Sequence, residues 1–448
     1  MKKKLMSLIL STVLAVSVLA GCGSTPADTP AEEPAAEAAE EPAAEAAEEP
    51  AAEPVAEDVT IKVSNWDSAT MVFIEPMIEA FEAANPHIKV ELVDIPSADY
   101  TTKLSVMLNG GSDVDAFWIK DGDTTKSLAD KGQLADLSEY IARDGIALED
   151  YSGLAERFVM DGKTVALPAN TGYYVLFYNK DIFDAAGEAY PSNDMTWAEW
   201  EEMCERLTSG SGADKIYGGF IHTWQACVQN WGVQDGTHTI MDTDYSFLQP
   251  YYEMVLRMQD AGTIMDYATL KTGSIHYSSP FLQGNVATLP MGSWFFTTII
   301  QKLNDGESNI NWGVATLPHP EGIEAGYTVG SVTPIAVNEA SANKDAAWEF
   351  VKFVTSAEGS QIYADGFSIP SRSNDDTLKA LASADGMPEG TLEALAVKNI
   401  SLDRPMEDFV AEVNQMLGQQ HELIMLKELS IEEGLAEMGK LSAEIQGK

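Results

Sequence analysis

The chain has 448 residues, of which 70 are acidic and 27 are basic, so its formal charge is −43 at neutral pH. A chain this acidic is poorly suited to bind nucleic acid or to lie on anionic lipid. After residue 22 no apolar run reaches about 18 residues, which excludes a later membrane-spanning helix. The length exceeds one ordinary hydrophobic core and therefore predicts two lobes.

Residues 1–21 have the features of a signal peptide. Three lysines, Lys2 to Lys4, precede an apolar run that ends at Leu19. The run is shorter than the roughly 20 residues that cross a bilayer, so it predicts a cleaved signal and not an anchor. The small residues before Cys22 resemble a bacterial lipobox, which implies that Cys22 becomes a lipid-modified N-terminus. A stray exported thiol is the alternative.

Residues 22–57 predict a disordered acidic linker. From residue 24 onwards the segment repeats alanine, glutamate and proline and carries no lysine, arginine or aromatic side chain. It cannot bury enough apolar surface to offset the entropy of ordering, and its glutamates repel one another. We interpret it as a spacer that holds a folded body away from a membrane, with a passive disordered terminus as the alternative.

The first elements of the body alternate between strand and helix. Residues 59–63, 88–92 and 114–119 have the apolar spacing of strands, and helical spacing follows each of them. This order predicts an α/β lobe with a largely parallel sheet.

A second run of elements begins near residue 164. Capping boxes predict helices that start at Thr196 and Ser430. We expect prolines to end two strands, at Pro168 and Pro290. Further strands are predicted at residues 312–318 and 333–337, and further helices at residues 220–224, 244–259, 344–355 and 407–446.

Aromatic and polar side chains lie where several of these strands end. In an open α/β sheet, ligands bind outside the carboxyl ends of the strands. The candidate ligand contacts are Trp66, Asp67, Trp118, Lys120, Asp121, Asn170, Tyr173, Trp224, Trp294 and Arg404. For the tryptophans the alternative is core packing, and for the polar residues it is a solvated loop or a helix cap. His222 is a weaker candidate, since a lone histidine is more often an ordinary hydrogen-bonded one.

Short motifs spread over residues 59–371 resemble the family 1 extracellular solute-binding proteins, the maltose-binding-protein type of ABC-importer receptor. The ordered set carries the resemblance, which fades after about residue 372. The motifs are Val114–Trp118, Gly132–Leu137, Ala166–Pro168, Leu176–Asp181, Thr196–Trp200, Trp312–Pro318 and Ala346–Thr355.

The resemblance implies an α/β, two-lobed periplasmic-binding-protein type II fold with a hinge between the lobes. Ligand would bind in the cleft and close the lobes about that hinge. The expected N-terminal lobe comprises residues 58–168 and 314–366, and the expected C-terminal lobe comprises residues 169–313 and 367–448. The expected crossings lie near residues 167–173, 313–317 and 364–370.

The resemblance also implies a biological role. The chain would be a monomeric receptor; with the lipid anchor predicted at Cys22 it would lie on the outer face of the cytoplasmic membrane, and its long spacer suits a cell surface of the Gram-positive type. It would deliver a sugar or oligosaccharide to ABC permease subunits. Sugars need flat aromatic platforms and planar hydrogen-bonding groups, and the resemblance gives the platform role to Trp118 and Trp294. We expect no cofactor, no metal and no nucleic-acid partner.

Other functions stay open at this point. An acidic cleft suits a polyamine or another cation, and a secreted glycoside hydrolase needs only two carboxylates at a suitable distance. The sequence has no nucleophile elbow, phosphate loop or histidine pair at metal spacing, which argues against an enzyme. A surface adhesin is also compatible with a lipid tether.

The body contains two cysteines, Cys204 and Cys227. They could pair in an oxidising exterior or remain as two small buried hydrophobic side chains. We favour unpaired thiols.

Overall fold

A computed structural model describes residues 58–448, apart from residues 112 and 152. The predicted signal peptide, Cys22 and the acidic linker lie outside the described residues. The strands are β1 (Val59–Trp66), β2 (Ile88–Ile95), β3 (Ala116–Trp118), β4 (Val159–Met160), β5 (Lys163–Thr164), β6 (Leu167–Asn179), β7 (Tyr217–Gly219), β8 (Val286–Gly292), β9 (Trp312–Thr316), β10 (Tyr327–Val337), β11 (Ile369–Pro370) and β12 (Asn399–Leu402). The helices are α1 (Ile74–Ala84), α2 (Tyr100–Asn109), α3 (Gly122–Asp130), α4 (Ser138–Asp144), α5 (Lys180–Ala186), α6 (Trp197–Leu207), α7 (Ala226–Val233), α8 (Gln249–Asp260), α9 (Tyr267–Gly273), α10 (Ser278–Leu282), α11 (Phe295–Asn304), α12 (Lys344–Val354), α13 (Ala357–Asp365), α14 (Asp375–Ala382), α15 (Thr391–Ala394), α16 (Val410–Met425) and α17 (Ile431–Ile445).

Most of the strands join one mixed sheet. Its order is β2-β1-β3-β10-β6-β8-β7, with β9 and β11 also paired to β6 and β12 paired to β10. β1 runs parallel to β2 and β3, as the strand–helix alternation predicts. β10 runs antiparallel to β3 and β6, and β6 runs antiparallel to β8 and β9. The expectation of a largely parallel sheet holds for the first three strands; beyond them the sheet is mixed, because β6 and β10 run antiparallel to each other while β7 runs parallel to β8 and β12 parallel to β10.

β6 is shared by both halves of the sheet. Its residues 167–173 pair with β10, and its residues 174–179 pair with β8 and β9. The predicted strand end at Pro168 is wrong, since β6 continues through it. Pro168 lies opposite Pro334 at a shift in register, where two residues without an amide hydrogen are tolerated. β8 likewise runs through Pro290 to its end.

Buried side chains divide into three clusters, which define two lobes. Two clusters pack around β1 and β3 and form the first lobe, and the largest packs around β8 and the C-terminal helices and forms the second. Val314, Ala315 and Leu317 belong to the largest cluster. The chain crosses between the lobes along β6 and β10. The residue boundaries of the lobes stay a prediction. They would be defined by comparing an open and a closed form and finding which residues move together.

Helix starts that depend on local signals are confirmed. Both capping boxes are formed, and they start α6 after Thr196 and α17 after Ser430. In each box the side chain at the cap accepts a backbone hydrogen bond, and the glutamate three residues later reaches back. Among residues 58–448, with 112 and 152 set aside, no helix has both the length and the apolarity to cross a bilayer.

The predicted helix through Trp224 is wrong. The residues before it form β7, and the helix starts only at Ala226. The reason is close packing, since a Cβ on Gly218 would come within 1.8 Å of the carbonyl oxygen of Cys204. The glycines therefore let β7 lie against α6, a contact that local spacing does not reveal.

Cys204 and Cys227 are both buried and free in the described part of the chain, as we favour from the sequence. The Sγ atom of Cys204 lies 3.3 Å from the hydroxyl of Thr288. Burial raises the pKa of both thiols, so each remains protonated and unreactive.

Candidate functional site

The end of β1 places Trp66 and Asp67 on the first lobe. The Trp66 ring lies 5.0 Å from that of Tyr100, and the Lys120 ammonium lies 5.3 Å from the centre of the same indole. Asp67 adopts a left-handed backbone conformation, with φ of 45°, and its carboxylate accepts a 2.9 Å hydrogen bond from the Ser97 N–H. Lys120 donates to the Ser97 hydroxyl at 2.6 Å. Ser97 thus holds both charged side chains beside the Trp66 ring.

Four side chains of the second lobe form a continuous group, which we name the aromatic run: Tyr174, Trp294, Tyr277 and Trp224. The rings of Tyr174 and Trp294 lie 5.4 Å apart, and those of Trp224 and Tyr277 lie 5.7 Å apart, in both cases edge to face. Burial raises the pKa of Tyr277, and the neighbouring Trp294 indole opposes that rise. Trp224 is 39% exposed and Trp294 is half-buried, so these two rings are the accessible parts of the run.

Gly172 allows Trp294 to lie directly on β6. A Cβ at this position would be 2.8 Å from Cε3 of the indole, and a Cβ on Gly292 would be 2.1 Å from the same ring. Both distances are shorter than atoms can approach without a shift. Trp294 therefore lies at the point where β6 passes from one lobe to the other.

The loop after β1 faces the second lobe. The Gln301 side-chain amide donates to the carbonyl oxygen of Ala69 at 3.3 Å. Burial lowers the pKa of His276, and the negative charge of Asp67 opposes that shift. The His276 ring in turn lies 4.0 Å from Tyr277. The Trp66 loop and the aromatic run therefore face each other across the junction of the lobes.

Asp121 and Asp123 lie beside Arg404 at the start of α3. Asp121 caps the helix, and Asp123 accepts a 3.0 Å hydrogen bond from Asn414 of α16, which links the two lobes. Burial raises the pKa of Asp121 well above its ordinary value, and Asp123 adds to the rise. Burial opposes ionisation of Asp123, but a hydrogen bond from Asp121 and the charge of Arg404 lower its pKa. Of the two carboxyl groups, Asp121 therefore keeps its proton to a higher pH than Asp123.

Two predicted contacts lie in the core. Trp118 is 2% exposed, and its indole N–H donates to the Tyr363 hydroxyl at 2.8 Å. Tyr173 is also 2% exposed, and its hydroxyl donates to the carbonyl oxygen of Leu395 at 3.0 Å. In this structure neither side chain presents a face to a ligand.

The remaining predicted contacts lie near the crossing strands. Asn170 is half-buried and donates to the Ser368 hydroxyl at 3.1 Å. The Arg404 guanidinium donates to the carbonyl oxygen of Asp403 at 2.6 Å, and its charge also acts on the buried Tyr174. Arg404 thus connects the acidic pair of α3 with the inner end of the aromatic run.

Sequence reasoning missed His276 and Tyr277. Both lie between α9 and α10. The other candidates were chosen because they follow the carboxyl ends of strands, and these two residues do not. The local signal is weak: an aromatic pair directly before the Ser-Ser-Pro start of a helix. The assembled site offers flat aromatic faces from both lobes with amide, imidazole and charged groups around them, an arrangement that holds a ligand by stacking and hydrogen bonding.

Comparison with known proteins identifies a family and relatives in sequence. The profile of the family described as bacterial extracellular solute-binding protein matches residues 65–361. A maltooligosaccharide ABC transporter solute-binding lipoprotein from Streptococcus pneumoniae is 25% identical over 379 residues, which cover 80% of this chain and 78% of that protein.

Solved structures are similar over most of the chain. A sugar transporter from Rhizobium etli, in an open conformation, is 40% identical with a TM-score of 0.74 and covers 86% of this chain and 99% of its own. An ABC substrate-binding protein from Listeria monocytogenes in complex with cycloalternan is 24% identical with a TM-score of 0.75 and covers 87% and 99%. The predicted two-lobed α/β fold of the periplasmic-binding-protein type is confirmed.

Replacing Trp118 by phenylalanine tests its place in the core. The change leaves the buried Tyr363 hydroxyl without the indole N–H, so we expect the free energy of unfolding to fall by about 1–3 kcal/mol. Urea denaturation measures this loss, and Tyr363→Phe in the same background should add little to it. A Trp118→Phe protein of unchanged stability and weakened ligand binding would contradict the core placement.

Replacing Asp121 by asparagine tests the raised pKa of this carboxyl group. Because the folded-state pKa of Asp121 is raised above its ordinary 3.8, the ionised form destabilises the fold increasingly as pH rises above that value. Asparagine caps helices as well as aspartate does. We therefore expect Asp121→Asn to be more stable than the wild type at neutral pH, with the gain vanishing in acid, as measured by urea denaturation across pH.

Asp123→Asn is the matched control, and its effect should have the opposite sign. The folded-state pKa of Asp123 is lowered, so its ionised form stabilises the fold above the ordinary pKa, and this stability is lost as pH falls through the folded-state pKa. We expect a loss of stability at neutral pH. Effects of the same sign in both variants would refute the arrangement.

Proposed function

Since this chain belongs to the bacterial extracellular solute-binding protein family, we propose that it is the sugar-binding receptor of an ABC importer. The observation that carries the proposal is the aromatic run of the second lobe facing the Trp66 loop of the first. A sugar has apolar ring faces and a rim of hydroxyls. Aromatic rings with amide and imidazole groups at their edges match both features.

Three of the similar proteins support a sugar as the ligand. The Rhizobium etli protein is a sugar transporter, and the Listeria monocytogenes protein was solved with cycloalternan. The Streptococcus pneumoniae protein is the solute-binding lipoprotein of a maltooligosaccharide ABC transporter. From these proteins we infer only the class of ligand for this chain, and we do not infer which sugar it binds.

The proposed contacts come from both lobes. From the first lobe they are Trp66, Asp67, Lys120 and Asp121; from the crossing region and the second lobe they are Asn170, Trp224, Trp294 and Arg404. We leave Trp118 and Tyr173 out because both are buried. A ligand that touches both sides only when the lobes meet binds the closed form better, and it therefore shifts the population towards closure.

The charges around the site favour a neutral ligand. Lys120 is held by Ser97, and the charge of Arg404 lowers the pKa of Asp123. Burial lowers the pKa of His222 to about 4, so its imidazole is uncharged at neutral pH. Lys120 and Arg404 therefore each have a partner within the protein, and the rings of Trp224 and Trp294 offer the ligand uncharged faces.

We also propose that the receptor is tethered at the cell surface. Lipid modification of Cys22 would fix the N-terminus in the outer face of the cytoplasmic membrane, and residues 22–57 would act as the spacer. A tethered receptor stays close to the permease that it supplies. A cell with a single membrane, of the Gram-positive type, fits this arrangement.

Titration with a panel of sugars, amino acids and polyamines tests the proposed function. We expect one or more sugars to raise the melting temperature and bind without being consumed, and Trp294→Ala to weaken that binding by about tenfold or more. Calorimetry gives the affinity and chromatography detects any product. Tyr190→Ala, which removes an exposed ring that packs on Tyr178 and Phe183, should leave the affinity unchanged.

Three results would refute parts of the proposal. Stabilisation by a polyamine alone would identify a receptor for cations. Release of product would identify a glycoside hydrolase. Equal affinity of the wild type and Trp294→Ala for a sugar would show that the ligand lies elsewhere.

Replacing Cys22 by serine tests the tether. A serine carries no thiol for lipid attachment, so we expect the variant in the native host to move from the membrane fraction to the medium or another soluble fraction. Immunoblotting of the fractions and mass spectrometry of the N-terminal peptide measure the change. Retention of the variant in the membrane would contradict lipidation at this residue.

A further inference from the structure

A third connection between the lobes lies outside the crossing strands β6 and β10. Ile400 packs against the cluster of the second lobe, Leu402 and Met406 pack against a cluster of the first, and Val410 belongs again to that of the second. The chain therefore leaves the second lobe, rests on the first and returns at the start of α16. We name residues 402–409 the strap.

The strap is held by α3 of the first lobe. The Lys126 ammonium lies 2.6 Å from the Asp408 carboxylate. A Cβ on Gly122 would be 2.5 Å from the Arg404 carbonyl oxygen, so only a residue without a side chain allows this contact. Phe409 ends the strap in a left-handed conformation, with φ of 65°, which bulky residues rarely adopt. Such a conformation persists where surrounding contacts fix it, and α3 supplies contacts of this kind to the strap.

Beyond the strap, two hydrogen bonds continue from α3 into the second lobe through three side chains, Asp123, Asn414 and Gln225, which we name the relay. The Asn414 amide nitrogen donates to Oδ2 of Asp123 at 3.0 Å, and Oδ1 of Asn414 accepts from the Gln225 amide at 2.8 Å. Asp123 is 8% exposed, and its Oδ1 atom accepts from the Thr124 N–H at 2.7 Å. A carboxylate accepts hydrogen bonds and an amide nitrogen donates them, so Asp123 fixes the orientation of the Asn414 amide, and Asn414 in turn orients Gln225.

The relay ends beside a proposed ligand contact. Gln225 follows Trp224 in the chain and directly precedes α7. None of the three relay side chains is among the proposed contacts themselves. The relay therefore links the position of α3 in the first lobe to the loop of the second lobe that carries Trp224.

We propose that Asn414 couples the two lobes and sets the affinity of the receptor without touching the ligand. By bonding to α3 and to the Trp224 loop at once, it stabilises the arrangement in which the lobes meet. The apparent affinity of a ligand falls in proportion to the fraction of the protein in the binding-competent form. The coupling concerns the lobes themselves, whereas its effect on affinity rests on the proposed function.

Replacing Asn414 by aspartate tests the coupling. The new carboxylate still accepts from Gln225, but it faces Asp123 and repels it. We expect Asn414→Asp to weaken the binding of maltose and of mannobiose by about tenfold, by the same factor for both sugars, because the loss lies in the closed form and not in a ligand contact. The loss should appear mainly as faster dissociation. Calorimetry measures the affinities, and stopped-flow tryptophan fluorescence measures the rates.

Exchanging the two side chains is the rescue. In Asp123→Asn/Asn414→Asp the new amide keeps an oxygen for the Thr124 N–H and donates to the new carboxylate, which also accepts from Gln225. Both bonds of the relay return, so we expect the affinity of the exchanged variant to lie within about threefold of the wild type. Gln419→Glu, which makes the same change of charge on the exposed face of α16, should leave the affinity unchanged. The melting temperature shows that each variant is folded.

The distance between the lobes gives a readout that needs no ligand. Spin labels on Val106→Cys of α2 and Glu432→Cys of α17, both exposed positions, report this distance by double electron–electron resonance. The background is Cys22→Ser, and the two other cysteines are buried and stay unlabelled. In the ligand-free protein we expect Asn414→Asp to shift the distance distribution away from that of the wild type, and the exchanged variant to restore it.

Three outcomes would overturn the inference while the receptor function stands. One is a ligand-free distance distribution that Asn414→Asp leaves unchanged. The second is an exchanged variant that resembles Asn414→Asp in both distance and affinity. The third is a loss of affinity for one sugar and not for the other, which would indicate a direct contact. Failure of every sugar to bind the folded wild type would instead count against the proposed function, and the ligand-free distances would still decide the coupling.

Discussion

The pairing of β6 with both halves of the sheet is the constraint on which the rest of the structure depends. One strand contributes its first residues to the ladder of the first lobe and its last residues to the ladder of the second. Gly172 lies at this change, and the lack of a side chain there lets the Trp294 indole lie on the strand. The inner ring of the site is therefore positioned by the same backbone that joins the lobes.

The net charge of the whole chain does not determine the polarity of the site. The net charge of −43 disfavours polyanionic partners, but it does not describe the lobe junction. There, Lys120 is held at Ser97, and within the acidic pair of α3 the pKa of Asp121 is raised by burial while the charge of Arg404 lowers that of Asp123. Composition therefore excluded whole classes of partner, whereas the polarity of the site depends on which side chains are neighbours.

Much of the fold could be predicted from the sequence, because its signals are local. Capping residues at Thr196 and Ser430, and alternating apolar residues in β1, act within a few positions of the chain. The site could be predicted only in part. Trp118 ends a strand as a platform would, yet Tyr363, far along the chain, receives its indole N–H in the core. Tyr277 joins the site through contacts across elements, and no local pattern encodes them.

The two prolines that face each other across β6 and β10 have a mechanical consequence. Pro168 and Pro334 carry no amide hydrogen, so neither residue can donate a backbone hydrogen bond just before β6 passes between the lobes. A ladder bends with least resistance where it has fewest bonds to distort. A bend at this level would therefore distort fewer backbone hydrogen bonds than a bend within the ladders on either side.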